Sequence, residues 1–359
     1  MPQPLDRAWM EVDLGAVVRN TASLRAHAGV PVIPMIKADA YGLGAEQVAH
    51  ALESLEPWGY GVATVVEGQG LRAAGITRPI LVFTPLLLEE LSVAQESRLT
   101  PTLGSAGEIT AWMKFGGPYH LSIDTGMARA GLPWREVQSV ADLVARHPPQ
   151  GAFTHFHSPA LNDGTMKIQE DRFREAIAQL PGRPHVLHSD SSAAIVRHGQ
   201  SHMDAVRPGI FMYGVGSGDG AQMEPAPVVH VRARVAELRY VEPGDTVSYD
   251  ATWAADSRRL IATIPLGYAD GYPRSLSNVG HGLVRGSTVP VVGRVTMDMI
   301  MLDVTGTGAE VGDVVTMIGS SSESTSRLDV AGVAQAAAMS PYELLTGLRG
   351  RLRRIYRGQ

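Results

Sequence analysis

The 359-residue sequence contains no cysteine. This absence excludes disulfide scaffolds, cysteine-ligated zinc sites, iron–sulfur clusters and thiolate nucleophiles. Basic residues are also scarcer than acidic ones, 31 against 36, which gives a net charge of −5. Bulk electrostatics therefore argue against a nucleic-acid partner. Charged residues make up only 19% of the chain and hydrophobic residues 44%, which excludes global disorder and provides for a large core.

Long hydrophobic runs are missing as well. The most apolar stretch, PILVFTPLLL at residues 79–88, is too short to cross a bilayer and is interrupted by Pro85. The first twenty residues contain no apolar segment behind a basic start, so no secretory signal is expected. We therefore expect a soluble, cytoplasmic protein without a membrane partner.

Over the first 210 residues, short apolar runs alternate with longer amphipathic ones. Strands are predicted at residues 32–36, 58–63, 79–83, 100–102, 119–123, 152–155, 185–187 and 205–207. Helices are predicted at residues 14–26, 44–55, 105–115, 133–146 and 166–180. Such alternation is typical of a parallel sheet covered by helices. Eight units in this length favour a closed (β/α)₈ barrel of the TIM type over an open sheet.

The pattern changes after Tyr213. Residues 214–227 are rich in Gly and Pro, which is typical of a linker or long loop. Strands are then predicted at residues 228–240, 260–264, 289–292, 299–304 and 314–318, followed by a helix at 330–338. The sequence thus predicts an α/β chain with two domains, a barrel at residues 1–227 and a mainly β domain at residues 228–359.

Charged side chains follow several of the barrel strands. Lys37 follows the first predicted strand and His155 ends the sixth, while Arg129, His188 and Arg207 come after or at the ends of the fifth, seventh and eighth. In an eight-stranded barrel, catalytic groups lie at the carboxyl ends of the strands. We therefore expect one lysine, two arginines and two histidines to meet at one rim.

The same rim offers groups that suit a phosphate. They are the hydroxyls of Ser189, Ser191 and Ser192 and the backbone amides of Gly209 and Ile210. The ends of strands seven and eight often bind phosphate in such barrels. A lysine at the end of a buried strand can have a lowered pKa, which suits a Schiff base. Taken alone, Lys37 is better explained as a solvated strand end and the serines as turn residues; their combination indicates pyridoxal phosphate.

Eight motifs resemble those of alanine racemases and occur in the same order. They are MIKADAYGLG (35–44), DTGMARAG (124–131), THF (154–156), HSDSSAA (188–194), VRPGIFMYG (206–214), VSYDATW (247–253), GYADGYPR (267–274) and GRVTMD (293–298). The resemblance covers nearly the whole chain. It implies pyridoxal 5'-phosphate as cofactor, interconversion of L-alanine and D-alanine as activity, supply of D-alanine for peptidoglycan, and a homodimer with shared active sites. It implies no metal.

The resemblance also implies catalytic roles. Lys37 carries the cofactor as an imine and is the base on one face of the substrate Cα, while Tyr249, from the β domain of a partner subunit, is the base on the other face. Two bases within hydrogen-bond reach allow racemisation without rotating the substrate. Arg207 donates to the pyridine nitrogen, with His155 supporting it. Without the family pattern, Tyr249 would be explained as a strand tyrosine that packs its ring.

The remaining implied roles concern binding. The phosphate is held by Tyr41, Ser192, Gly209 and Ile210. Arg129 helps to hold the cofactor ring oxygen and the substrate, and the Met297 backbone helps to receive the substrate carboxylate. Tyr268 and Asp298 lie near the substrate entrance. Taken alone, Met297 is equally a core residue that fills a gap.

Three positions depart from the family pattern. Ser122 stands where many members have a carbamylated lysine that orients the arginine, so Arg129 lacks that partner. Asp250 follows Tyr249 where glycine is usual, and Gly350 stands where some members have a tyrosine on the phosphate. These departures concern the charge beside Arg129, the substrate entrance and the affinity for phosphate.

Three alternative functions remain open at this point. A racemase of broader or different specificity, for example for serine, would share the motifs; periplasmic members of that kind typically carry a signal peptide and cysteines. Decarboxylases and aldolases on related barrels lack the racemase pattern around Tyr249. A non-catalytic pyridoxal-phosphate carrier resembles the barrel alone and lacks the β-rich half.

Overall fold

The first half of the chain folds into a parallel barrel. The computed structural model describes residues 6–218, 220–321 and 325–358. The barrel strands are Tyr60–Val62, Ile80–Val82, Thr100–Leu103, His120–Asp124, Gly151–Phe153, Val186–Ser191 and Ala205–Arg207, each parallel to the next, with a short strand Leu132–Pro133 added beside His120–Asp124. This arrangement confirms the barrel predicted from the alternating pattern.

The first predicted strand, residues 32–36, closes this ring without forming a regular strand. Ile33 N donates to Val206 O (2.8 Å) and Ile36 N donates to Gly61 O (2.9 Å), so the segment bridges the last and first strands of the sheet. Pro34 has no N–H to donate to a ladder. The prediction of position is confirmed, and the irregular pairing follows from the proline.

Helices cover the barrel and complete the second half. The helices of the barrel half are Leu14–Ala28, Ala45–Leu52, Val65–Ala73, Glu90–Glu96, Ala106–Trp112, Ala141–Arg146, Thr165–Ala178 and Ser192–His198; those of the second half are Val330–Ala336 and Pro341–Gly347. The single helix predicted at residues 133–146 is wrong, because Trp134–Val140 is a 3₁₀ helix and Ala141–Arg146 an α-helix. Among the described residues, no helix has the length and apolar character to cross a membrane.

The second half contains two sheets. The larger sheet runs in the order Ser287–Pro290, His281–Val284, Val314–Ser320, Val229–Arg234, Ala8–Asp13 and Arg353–Arg357, with Arg327–Leu328 attached to Val314–Ser320. The smaller sheet contains Glu237–Val241, Arg259–Ile264 and Ile300–Asp303. The mainly β character of the second half is as predicted.

The strand predicted at residues 228–240 is wrong as a single element. It is split into Val229–Arg234 and Glu237–Val241, which lie in different sheets. At the break, Val235 N donates to Asp313 O (2.8 Å) and Ala236 N to Thr263 O (2.9 Å), so the chain changes partners there. The N-terminal strand Ala8–Asp13, absent from the prediction, pairs antiparallel with Val229–Arg234 and ties the start of the chain to the second half.

Candidate active site

The carboxyl ends of the barrel strands enclose a cavity of about 410 Å³. Eight predicted site residues line it: Lys37, Tyr41, Arg129, His155, Ser192, Arg207, Gly209 and Ile210. A more open depression of about 820 Å³ lies on the β half beside Trp9 and Arg232 and contains none of the predicted residues. The cavity at the barrel rim is therefore the candidate active site, because chemistry in such barrels occurs at this end.

Lys37 is followed by an unusual left-handed turn. Ala38, Asp39, Ala40 and Tyr41 have φ values of 52–56°, although none of them is glycine. L-residues in this region cost roughly 1–2 kcal/mol each, and such strain tends to occur at functional sites. The turn places Lys37 and Tyr41 on the wall of the same cavity.

Two carboxylates hold this turn in place. Glu67 accepts hydrogen bonds from Ala38 N (2.8 Å) and Ala63 N (2.7 Å). Asp39 accepts one from Ala45 N (2.8 Å) and forms an ion pair with Arg354 (2.6 Å). Hydrogen bonds between carboxylates and backbone amides are charge-assisted and stronger than neutral ones. They offset part of the backbone strain beside the lysine.

The surroundings of Lys37 favour its neutral amine. Burial lowers the pKa of the Lys37 ammonium, and the positive charges of Arg129 and Arg207 lower it further, while Glu67 opposes them. Desolvation and like charges both disfavour a cation. This direction agrees with the expectation for a lysine at the end of a buried strand, and the side chain is suited to act as nucleophile and base.

Arg207 is a buried cation held by a dense set of acceptors. Its Nη1 donates to His188 Nδ1 (2.7 Å) and His188 O (2.8 Å). Its Nη2 donates to Thr154 O (2.9 Å), Ser189 O (3.0 Å) and His155 Nδ1 (3.2 Å). Burial lowers the pKa of Arg207 to about 10, so the guanidinium stays charged at neutral pH. Among the described residues, the hydrogen bonds of Arg207 all come from Nη1 and Nη2 and none from Nε–H.

His155 is held in its neutral form beside this cation. Burial lowers its pKa to about 3, and the charges of Arg207, Arg129 and Lys37 act in the same direction. Because neutral imidazole has one acceptor nitrogen, His155 Nδ1 can accept from Arg207. The observed contact agrees with the supporting role expected for His155.

Small groups and hydroxyls gather at one end of the cavity. Ser192 Oγ accepts hydrogen bonds from Gly209 N (2.8 Å) and Phe211 N (3.4 Å). A Cβ at position 209 would lie 2.7 Å from Tyr41 Oη, so a larger residue there would displace the Tyr41 hydroxyl. Tyr41 is 6% exposed, and its hydroxyl has no partner among the described residues. This end of the cavity thus brings the hydroxyls of Tyr41 and Ser192 together around Gly209.

The other four predicted residues do not line this cavity. Tyr249 is 71% exposed, Met297 53% and Tyr268 43%. Tyr249 and Tyr268 begin the short 3₁₀ helices Tyr249–Ala251 and Tyr268–Asp270, and Met297 lies in a loop of the β half. Tyr268 and Met297 lie in adjacent segments, since Ala269 N donates to Met297 O (3.1 Å). Asp298 pairs with Arg351 (2.7 Å). The exposed side chains of Tyr249, Tyr268 and Met297 are accessible to another molecule.

Tyr249 itself lies in a second strained turn. Ser248, Asp250 and Ala251 have φ values of 68°, 62° and 47°. Ser248 Oγ donates to Arg294 O (2.8 Å), and Asp250 pairs with Arg294 (3.3 Å). The Asp250 carboxylate, one of the departures from the family pattern, is thus engaged by Arg294 of the same chain.

The structure also adds cavity and supporting residues that sequence reasoning missed. Tyr342, from the second half, lines the cavity, and its ring packs 5.9 Å from that of Tyr41. Glu67 supports the turn from a neighbouring helix. His120, two residues before the serine that replaces the family lysine, hydrogen-bonds to His188 inside the barrel. Of these three residues, only His120 could have been found from the sequence, because it lies in the predicted strand that leads to the DTGM motif.

Comparisons with known proteins cover both halves of the chain. Models of the alanine racemase N-terminal and C-terminal domains match residues 12–217 and 228–356. An alanine racemase of Citrifermentans bemidjiense is 36% identical over 97% of this chain and 98% of its own length.

Solved structures of alanine racemases have the same fold as this chain. The alanine racemase of E. faecalis superposes with a TM-score of 0.93 at 27% identity, covering 99% of this chain and 100% of that chain. The Bartonella henselae alanine racemase, solved with covalently bound pyridoxal phosphate, gives a TM-score of 0.89 at 29% identity, covering 98% and 99%. The chain described here therefore belongs to the alanine racemase family.

Proposed function

We propose that this chain racemises alanine with two bases, Lys37 of one subunit and Tyr249 of the partner subunit. Family membership supports the reaction, the interconversion of L-alanine and D-alanine, and the cofactor, pyridoxal phosphate. One observation carries the assignment of the bases. Lys37 lines the barrel cavity with a lowered pKa, whereas Tyr249 is exposed on the β half outside that cavity. A second subunit therefore supplies the tyrosine.

The residues of the cavity fit pyridoxal phosphate. Lys37 is suited to hold its aldehyde carbon, and the free Nε–H of Arg207 is suited to its ring nitrogen. Tyr41, Ser192 and the amides of Gly209 and Ile210 would hold its phosphate, because hydroxyls and backbone N–H groups are donors for anions. When bound, the cofactor supplies an electron sink that makes the substrate Cα–H acidic.

The two bases exchange a proton with Cα from opposite faces. Lys37, favoured as the neutral amine, accepts the Cα proton of one enantiomer, and the Tyr249 hydroxyl delivers a proton to the other face. Arg129 and Arg207 provide positive charge in the cavity, which favours the anionic form of an acid placed beside them. In the reverse direction the two groups exchange these roles, so both are needed for both directions.

Arg207 controls the protonation state of the cofactor ring nitrogen. An arginine holds its protons far more tightly than a pyridine nitrogen, so it donates a hydrogen bond without transferring the proton. The ring nitrogen then stays unprotonated and the electron sink is weaker. We infer that this arrangement suppresses transamination.

The remaining residues complete a shared site. In this proposal residues 1–227 bind the cofactor, with Arg129 holding the cofactor ring oxygen and the substrate, and residues 228–359 reach the partner subunit. Met297 there receives the substrate carboxylate, and Tyr268 and Asp298 line the entrance. The homodimer acts in the cytoplasm and supplies D-alanine for peptidoglycan, the usual role of this family.

A direct assay tests the proposal. Purified holoenzyme is incubated with saturating L-alanine, and D-alanine is followed by chirality-specific detection. We expect activity in the wild type and losses of about 10²–10⁴-fold for Lys37→Ala and Tyr249→Phe in both directions. Tyr240→Phe, another exposed tyrosine of the β half, is the matched control and keeps the wild-type rate.

The outcomes separate the two parts of the proposal. A wild type that forms no D-alanine from L-alanine refutes the racemase assignment, and L-serine assayed in parallel tests the alternative substrate. If Tyr249→Phe keeps full rates in both directions, the two-base model is wrong.

A further inference from the structure

Beneath Arg207, two buried histidines form a chain of hydrogen bonds into the barrel interior. His188 Nδ1 lies 2.7 Å from Arg207 Nη1, and His188 Nε2 lies 2.8 Å from His120 Nδ1. Both imidazoles are completely inaccessible to solvent. His188 also stacks on Phe153 with an interplanar angle of 3°. The cavity cation is thus connected to a residue that does not line the cavity.

The donors and acceptors in this chain have only one consistent arrangement. A guanidinium donates only, so His188 Nδ1 must be the acceptor. Neutral His188 then carries its hydrogen on Nε2 and donates to His120 Nδ1. His120 in turn carries its hydrogen on Nε2. Each tautomer follows from the preceding contact, starting at Arg207.

The far end of the chain also has a matching acceptor. His120 Nε2 and Gln150 Oε1 are both buried, and neither has a hydrogen-bond partner among the described residues. In this tautomer His120 Nε2 is a donor, and Gln150 Oε1 is an acceptor, so the two atoms are complementary. A Cβ at position 151 would lie 2.4 Å from His120 Cε1, so Gly151 makes room for the ring.

Neither histidine takes up a proton near neutral pH. Burial lowers the pKa of His120 to about 3, with Arg207 acting in the same direction and Gln150 opposing it. Burial and the charge of Arg207 also place the pKa of His188 well below its usual range. The hydrogen-bond chain therefore persists in one protonation state.

We propose that His120 is a positioning residue for Arg207. By accepting from His188 Nε2, it takes up the single N–H of neutral His188 and so stabilises the tautomer whose Nδ1 accepts from Arg207 Nη1. Arg207 Nη1 and Nη2 are then occupied by the protein, and only Nε–H remains for the cofactor. This proposal rests on the proposed function of Arg207 for its effect on the reaction, but the tautomer of His188 is a property of the chain alone.

Two substitutions distinguish this role from simple packing. Asn at position 120 can place an amide oxygen where Nδ1 lies and keep the acceptor, whereas Leu fills the space and removes it. If His120 only packs, His120→Leu is tolerated at least as well as His120→Asn. If it positions Arg207, His120→Asn rescues what His120→Leu loses.

The first measurement determines the tautomer of His188 directly. The ring nitrogens of ¹⁵N-histidine-labelled holoenzyme are examined by NMR, with the His120 and His188 signals identified by their changes in the variants. We expect hydrogen on Nε2 and none on Nδ1 of His188 in the wild type and in His120→Asn. A hydrogen on Nδ1 of wild-type His188 overturns the proposal, whether or not the enzyme racemises alanine.

The second measurement reports on Arg207. Pyridoxamine phosphate formed by abortive transamination is quantified per racemisation turnover, together with the dissociation constant for pyridoxal phosphate. We expect His120→Leu to raise the transamination ratio by about tenfold or more and His120→Asn to stay within about twofold of wild type. Equal ratios in the two variants overturn the proposal. A wild type without racemase activity refutes the proposed function instead, and leaves the NMR result to decide on the hydrogen-bond chain.

Discussion

Replacing Ala38 by glycine tests whether the turn after Lys37 is strained. Ala38 has φ 52° and is exposed, so the substitution removes a methyl group without opening a cavity. The left-handed conformation costs an L-residue roughly 1–2 kcal/mol, which glycine avoids. Against this, glycine makes the unfolded chain more flexible, which lowers stability by about 0.4–1 kcal/mol. Ala38→Gly should therefore stabilise the protein by about 0.5–1 kcal/mol.

The matched control is Ala22→Gly, in the middle of the right-handed helix Leu14–Ala28. Glycine in a helix interior costs about 1 kcal/mol, so the two substitutions should differ by about 1.5–2 kcal/mol and in sign. Urea unfolding of the holoenzymes at one fixed concentration of pyridoxal phosphate measures both. If Ala38→Gly destabilises the protein as much as Ala22→Gly does, the turn holds no backbone strain.

Three further predictions follow from buried or close-packed groups. The pKa of His155 is about 3 in the folded protein and about 6.5 in the unfolded chain, so the unfolded state takes up the proton first as the pH falls. The free energy of unfolding should therefore fall by about 1.4 kcal/mol per pH unit below pH 6.5 because of this group. Urea unfolding should show a shallower pH dependence for His155→Gln than for the wild type, and equal slopes would contradict the shift. Gly209→Ala would place a Cβ 2.7 Å from Tyr41 Oη. The dissociation constant for pyridoxal phosphate, measured by equilibrium dialysis, should therefore rise about tenfold or more. An unchanged affinity would mean that this end of the cavity does not hold the phosphate. Asp250→Gly breaks a half-exposed ion pair with Arg294, so it should change the free energy of unfolding by less than about 1 kcal/mol. It should, however, alter the substrate preference or the pH optimum. Identical substrate and pH profiles in the two proteins would exclude a role for Asp250 in the site.

Much of the barrel and its rim could be predicted because their signals are local. Parallel strands buried on both faces are short apolar runs, and the polar residue after each run marks the carboxyl end of the barrel. Lys37, His155 and Arg207 are such residues, and the structure brings all three to one cavity.

The features that were missed depend on partners distant in sequence. The alternation over residues 228–240 indicates an extended strand but not which strand it pairs with. The change of sheet at Val235 therefore could not be predicted from the sequence pattern. The left-handed turn at Ala38 contains no glycine that would signal it, and its support comes from Glu67 on another helix. His120 and His188 are 68 residues apart, and only the closed barrel brings their rings together.

Mixing two inactive variants tests the shared active site most directly. Lys37→Ala retains Tyr249, and Tyr249→Phe retains Lys37, so each site of a homodimer of either variant lacks one base. After subunit exchange at equal concentrations, half of the dimers are mixed, and one of their two sites contains both bases, which predicts about one quarter of wild-type racemase activity. Recovery near this level agrees with a site built from two subunits. If subunits exchange, as measured by mass spectrometry of labelled chains, and racemase activity stays at the level of the separate variants, the two bases do not come from different subunits.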